Sequence, residues 1–294
     1  MYNKIFVYIL YTLCLINSAS AQAEILKLTT WNLEWLVSQK DIQNTPIPHN
    51  VNLRNTSDFQ QLQQYAIKLQ SDIVALQEIG SLETLRFVFP ANEYLFFISR
   101  DPIAQHTALA VRHSVFAHIE QNPDLTELGN INGSHPLRSG LDLTFYTKEK
   151  NSLRILVLHL KSGCQDYPLT NKALKPSCQF LKEQLPILQE WIRKRLMEKQ
   201  AFIILGDFNR VISPNEFFYK SLSEKITSPT FPTAYQANPC WGGSYFIDGF
   251  MLDHHTTKWF IPNSLSVLKY KEQGFNQQNQ LSDHCPVSIK LSIP

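Results

Sequence analysis

The stretch Phe202-Ile203-Ile204-Leu205-Gly206-Asp207-Phe208-Asn209 decides how the rest of the chain is read. Its first four residues form an apolar, β-type run. A glycine, a carboxylate and a carboxamide follow, where a buried strand would continue apolar or an ordinary turn would begin. The same break recurs along the chain. His159 ends Ile155-Leu156-Val157-Leu158, Asn32 follows Leu28-Thr29-Thr30-Trp31, and Gln77 and Glu78 follow Ile73-Val74-Ala75-Leu76. Asp248 follows Tyr245-Phe246-Ile247, and Asp283-His284 precedes Pro286-Val287. Taken singly, each has a plain structural explanation: a turn, a helix cap or a buried histidine. Acids, amides and imidazoles at so many comparable strand ends are better explained by one cleft into which several strand ends open.

Around these breaks, β-type runs alternate with helical patterns. Residues 25–31, 73–76, 94–98, 108–111, 141–146, 155–159, 202–205, 245–252 and 287–291 read as strands. Many are apolar on both faces, which suits buried strands in a layered α/β fold with helices outside. A helix is expected over 59–69, where Phe59, Leu62, Ala66 and Leu69 share one face. A longer one is expected over 177–199 with Pro186 inside it, and a third beginning at Ser213, where Ser213-Pro214-Asn215-Glu216 has the form of a capping box. Their apolar stripes are core. Residues 39–57 and 163–177 read as long loops, and both follow candidate site residues, which makes them candidates for facing a substrate.

Lys4, the apolar run 5–16 and the small residues before Ala21 read as a secretory signal peptide over 1–21, with cleavage after Ala23 as the alternative. The run is well short of the roughly 20 apolar residues of a spanning helix. Residues 22–294 show no internal linker or repeat and are expected to form a single domain of about 273 residues. Without Lys4 the balance is 26 basic against 25 acidic residues, so polyanion binding must come from a local patch rather than from net charge. The remaining cysteines are Cys164, Cys178, Cys240 and Cys285. An even count in an exported chain suggests two disulfides, and no pair has the close spacing of a zinc site. Sequence alone leaves three pairings open. The favoured one closes a short loop between Cys164 and Cys178 and leaves Cys240 for Cys285.

With Trp31-Asn32, Gln77-Glu78, His159, Gly206-Asp207-Phe208-Asn209, Ile247-Asp248 and Ser282-Asp283-His284 in this order, the chain resembles the endonuclease/exonuclease/phosphatase superfamily, the deoxyribonuclease I-like enzymes, from Leu28 to Val287. The resemblance implies a four-layer α/β/β/α sandwich, two packed mixed β-sheets flanked by helices, with the site at one sheet edge. It also implies a divalent-metal-dependent phosphodiester hydrolase, which the leader would make a secreted one. Glu78, with Asn32 and Asp283, would bind Mg2+, for which Mn2+ can substitute. His284 would do acid/base work or bind the scissile phosphate, oriented by Asp248. Asp207 would act on the attacking water, Asn209 on the phosphoryl oxygens, and His159 would meet the phosphate from the opposite side. Arg138 and Lys161 would contact substrate phosphate.

One departure stands out. In deoxyribonuclease I, one member of that superfamily, the histidine at the His159 position has its own carboxylate partner, whereas the matching segment here offers Gln105. The expected substrate is DNA or RNA, in the manner of an endonuclease. A sphingomyelinase-like phospholipid phosphodiesterase, a small-molecule phosphatase and a non-catalytic binding module are the alternatives. A periplasmic or extracellular monomer without stable membrane association is expected.

Overall fold

The computed structural model describes residues 24–51, 53–131, 137–148, 151–240, 242–270 and 281–294. The leader expected over 1–21 lies outside them. The elements are β1 (Glu24–Leu36), α1 (Gln39–Asn44), α2 (Thr56–Leu69), β2 (Ile73–Ile79), α3 (Leu82–Leu85), β3 (Tyr94–Ile98), β4 (His106–Arg112) and β5 (His118–Gln121). Then follow β6 (Leu141–Tyr146), β7 (Ser152–His159), α4 (Pro176–Met197), β8 (Ala201–Asp207), α5 (Phe217–Ser223), β9 (Asp248–Leu252), α6 (His254–Trp259), β10 (Ser266–Val267) and β11 (Val287–Ile293). They build two mixed sheets, of order β10-β11-β1-β2-β4-β3 and β5-β6-β7-β8-β9.

The sheets face each other because each strand carries an apolar row at every second residue. Leu26 and Leu28 of β1, Ile73 and Ala75 of β2, and Leu109 and Val111 of β4 share a buried cluster with Ile155 and Val157 of β7 and Ile203 and Leu205 of β8. The opposite face of the first sheet, with Trp31, Leu33, Val74 and Leu76, is covered by Leu62, Ala66 and Leu69 of α2. On the second sheet α4 plays that part, with Trp191 set edge-on to Phe202 at 5.4 Å between ring centroids. Helix, sheet, sheet, helix is the layering implied by the resemblance.

Three expectations need correction. The helix expected at Ser213 begins instead at Phe217. Glu216 is its N-cap, and the Glu216 carboxylate is held by Arg210, so it does not reach back to Ser213. Within the expected loop 39–57, Ser38 and Asp41 form a reciprocal capping box that starts α1. The strand expected over 245–252 is regular only in β9, because Tyr245 bridges back to Ala237 and not to the sheet. The short strands β5 and β10 carry too few residues for an apolar rhythm to reveal them. Both favoured disulfides, Cys164–Cys178 and Cys240–Cys285, are present. No helix among the described residues is long and apolar enough to cross a membrane.

Candidate active site

The same two-residue period that builds the inner apolar rows delivers polar side chains where the rows end. On β1 the row Leu26, Leu28, Thr30 runs on to Asn32, which is paired in register with Gln77 of β2. On β7 and β8, Ile155 and Ile203, then Val157 and Leu205, run on to His159 and Asp207, again in register. β9 runs antiparallel to β8, so its first residue, Asp248, stands beside Asp207. β11 is antiparallel to β1, so Asp283 and His284, just before it, reach the same edge. The sheets meet across this edge where Asn32 Nδ2 donates to Asp207 Oδ2 at 3.1 Å.

Glu78 reaches the site by a different device. Strict alternation after Gln77 would send it to the α2 side. Instead the β1–β2 register breaks between Asn32 and Leu36, the β2–β4 register breaks between Leu76 and Ile79, and Glu78 takes φ +65°. A bulge of this kind re-aims one side chain. Glu78 Oε1 then lies 3.3 Å from Asn32 Nδ2, and Oε2 accepts from Trp35 N at 3.0 Å. Glu34 and Trp35 also have positive φ. Glu34 Oε2 accepts from Asp283 N at 2.8 Å, while Arg54 Nη2 holds the Leu33 and Glu34 carbonyls. Burial, then the charge of Asp283, raises the Glu34 pKa. Glu34 and Arg54 are site-edge residues that sequence reading did not single out. Glu34, two residues after Asn32 and polar in an apolar run, was the available signal.

His284 Nδ1 and Asp248 Oδ2 are 2.7 Å apart and buried. Burial works against the imidazolium, but the Asp248 carboxylate, by charge and hydrogen bond, then Asp207 and Asp283 outweigh it, and the His284 pKa stands well above the usual value. Asp207 is enclosed as well. Burial, then the neighbouring Asp248 charge, pushes its pKa up to about 7. Asp207 Oδ1 accepts from Asn209 N at 2.7 Å, and Oδ2 from Asn209 Nδ2 at 3.2 Å. Asn209 Nδ2 also donates to Leu160 O, so its amide is turned toward Asp207 and the backbone.

His159 Nε2 lies 3.5 Å from Asp207 Oδ2 and 3.7 Å from Glu78 Oε1, beyond ordinary hydrogen-bond reach. Its buried Nδ1 has no hydrogen-bond partner, so the carboxylate that Gln105 fails to supply is not supplied by another described residue. Burial, with Arg138 and His284 nearby, holds the His159 pKa well below the usual value. Arg138 is buried, with Nη2 on Leu160 O at 2.7 Å and Nε unpartnered. Burial lowers its pKa, opposed by Glu78, Asp207 and Asp101. Lys161 sits farther out, with its ammonium on the Ser162 carbonyl at 3.2 Å.

The donor set suits a hard divalent cation. Glu78 opens to solvent through 15% of its side chain, Asn32 adjoins it, and Asp283 stands at the mouth, 3.7 Å from His284 Nε2. All three offer oxygen, the ligand that magnesium and manganese favour. Asn32 directs Nδ2 at Glu78 and Asp207, while Oδ1 accepts from Glu34 N, so its amide must turn to offer oxygen beside Glu78. Asp207, Asp248 and His284 are a second set, with ligand atoms within 4.8 Å of one another.

A scan of protein-family models and a search of curated proteins found no match. Solved structures match along nearly the whole chain. The catalytic domain of human Nocturnin with bound sulfate anion shares 16% identity at a TM-score of 0.58, covering 93% of this chain and 98% of that one. D. rerio TDP2 complexed with single strand DNA product shares 16% at 0.60, covering 90% and 98%. An endonuclease/exonuclease/phosphatase family protein from Bacteroides thetaiotaomicron shares 17% at 0.59, covering 93% and 96%. At such identities the likeness is one of fold, and the fold is that of the superfamily the motifs resemble.

Proposed function

We propose that this chain, built on the endonuclease/exonuclease/phosphatase fold, is an exported, divalent-metal-dependent phosphodiesterase that hydrolyses nucleic acid, DNA before RNA, as an endonuclease. The observation that carries the reading is the convergence of Asn32, Glu78, His159 and Asp207 on the His284–Asp248 pair at one sheet edge. Hydrolysis needs a base for the attacking water, an acid for the departing oxygen and positive charge around the phosphoryl group. Asp207, with a pKa near neutrality, suits the first task. Asn209 holds Asp207 in place, and its amide would leave the Leu160 carbonyl to donate to the phosphoryl oxygens. His284, charged against Asp248, suits proton donation or phosphate contact. His159, kept neutral by its burial, meets the phosphate from the other sheet. Arg138 and Lys161 supply fixed charge, Arg138 through a guanidinium whose Nε is still free to donate. A divalent cation, magnesium or manganese, would be held by Glu78, Asn32 and Asp283 and would neutralise phosphoryl charge.

Export is supported by two disulfides, which persist in oxidising compartments. The reading takes 22–294 as one domain acting as a monomer. Nucleic acid is favoured over lipid because the segments 39–57 and 163–177 are mainly polar, with Tyr167 their one aromatic residue. The single strand DNA product bound by D. rerio TDP2 adds support from a shared fold. The deciding experiment incubates the purified mature protein with plasmid DNA, RNA, sphingomyelin and inositol phosphates, each with magnesium or EDTA. Magnesium-dependent DNA cleavage is expected. Turnover of sphingomyelin alone would move the chain to the phospholipid phosphodiesterases, and undiminished turnover after exhaustive metal removal would overturn the metal-dependent reading.

A further inference from the structure

A second polar cluster lies at the far end of the same sheet. β9 leaves the site at Asp248 and runs back along β8, and the chain enters α6 at Asp253, beside Phe202. Five residue steps of extended chain lead from Asp248 to Asp253, roughly 16 Å at about 3.3 Å per step. Asp253 is fully buried. Its Oδ1 accepts from Phe202 N, Thr256 N and Thr256 Oγ1, which accounts for its capping of α6. Capping does not account for Oδ2, which is equally enclosed and has no hydrogen-bond partner. A carboxylate oxygen removed from water without a donor is costly. This oxygen faces His254 Nδ1 at 3.5 Å, and the His255 ring lies against that of His254 with centroids 3.6 Å apart.

We propose that Asp253, His254 and His255 form a binding site for a nitrogen-preferring divalent cation of the zinc class, separate from the phosphodiesterase centre. One carboxylate and two imidazoles make a borderline donor set, unlike the oxygen ligands of Glu78, Asn32 and Asp283. Bonds of about 2.0–2.1 Å in a tetrahedral site put ligand atoms about 3.4 Å apart. The Asp253–His254 separation already meets that spacing. All three ligand atoms lie within 4.8 Å of one another, and both rings are partly exposed, so a side-chain rotation closes the remaining gap. The bound ion gives Asp253 Oδ2 its missing partner and ties the end of β9 to α6, with a fourth position left to water.

The test adds zinc to the full mature protein, stripped of metal and then held in excess magnesium, and follows the imidazole nitrogens by NMR together with thermal unfolding. The His254 and His255 signals are expected to move together, and the unfolding temperature to rise. The His254→Ala/His255→Ala variant should weaken zinc binding about tenfold or more, lose the thermal rise and keep its phosphodiester turnover in magnesium. Asp253→Asn retains an acceptor for the cap and should also weaken zinc binding, which separates ligand loss from unfolding. Zinc shifts confined to His284 and His159, or a double variant that binds zinc as tightly as the parent, would overturn the proposal.

Discussion

Gly206 shows how closely the backbone is drawn in beneath the site. It has φ +143°, and an added Cβ would stand 2.0 Å from the Leu158 carbonyl oxygen on β7. Neither backbone can yield without parting the strands that carry His159 and Asp207. Gly206→Ala should therefore cost roughly 2 to 4 kcal/mol in urea unfolding, and an unchanged midpoint would show that the strands relax freely. His284→Ala and Asp207→Asn should each lower turnover by about 100-fold or more, the scale of positioned acid/base groups. Their circular dichroism should match the parent, and a folded variant with near-parental turnover would remove that residue from the mechanism. Glu78→Gln should raise the magnesium concentration needed for half-maximal activity more than it lowers the unfolding midpoint, because the amide loses the ligand charge but keeps the acceptor for Trp35 N. At this scale the sequence was legible wherever side-chain alternation operates. Asn32, His159 and Asp207 end apolar rows, so their direction follows from their number. The aim of Glu78 was not legible, because it depends on a left-handed residue in a bulge, and neither was Arg54, which reaches the site edge through the carbonyls of that bulged strand and the Glu34 carboxylate.

The elements behind the bulges hold them in shape. Gly80 N donates to Leu36 O at 2.9 Å, joining the chain just after both irregular stretches. Asp41 of α1 accepts from Ser38 N at 2.7 Å and from Thr84 Oγ1 of α3 at 2.5 Å, so the segment following β1 is clamped to the segment following β2. Burial disfavours the Asp41 charge, but hydrogen bonds from Ser81, Thr84 and Ser38 outweigh it and hold its pKa below the ordinary value. A depressed carboxylate pKa contributes stability that is present above the unfolded-state pKa and is lost as pH falls through the folded value. Hydrogen exchange in α1, taken relative to the intrinsic rate at each pH, should thus accelerate as pH falls below about 4, beyond the change seen in α2. Asp41→Asn keeps an acceptor and removes the titration, so the extra acceleration should vanish; its persistence would place the titrating group elsewhere. Long elements such as α4 and β8 were readable because several turns or alternations repeat one signal. α1 was not, since six residues among Asn and Pro carry no stripe, and the Ser213 box misled because Arg210 claims the Glu216 carboxylate that would have closed it.

At the scale of the whole molecule, the site exists only where the strand ends of the two facing sheets are held together, and the disulfides act on that assembly unequally. Cys164–Cys178 spans 14 residues and Cys240–Cys285 spans 45, which by chain entropy correspond to about 3 and about 4 kcal/mol respectively. Opening the first leaves its loop attached, because Arg210 still holds the Cys164 and Tyr167 carbonyls. The second joins the residue after His284 to the segment that leads into Asp248, so it spans from the edge of one sheet to the edge of the other. His284 is also fixed by Ser282 Oγ, which accepts from His284 N and donates to Asn32 O, and by Tyr270, whose hydroxyl donates to His284 O. These bonds keep the histidine on the β1 side when the bridge is cut, but none of them reaches Asp248. Loss of the bridge should therefore act on the distance between imidazole and carboxylate, and misplacement of a catalytic pair by about 1 Å can cost up to about 100-fold in rate. Cys240→Ala/Cys285→Ala should lower turnover at temperatures where the protein stays folded, whereas Cys164→Ala/Cys178→Ala should lower mainly the unfolding midpoint. Parental turnover in the first variant, or alkylation of Cys285 in the native protein, would show that the strands alone hold the pair together.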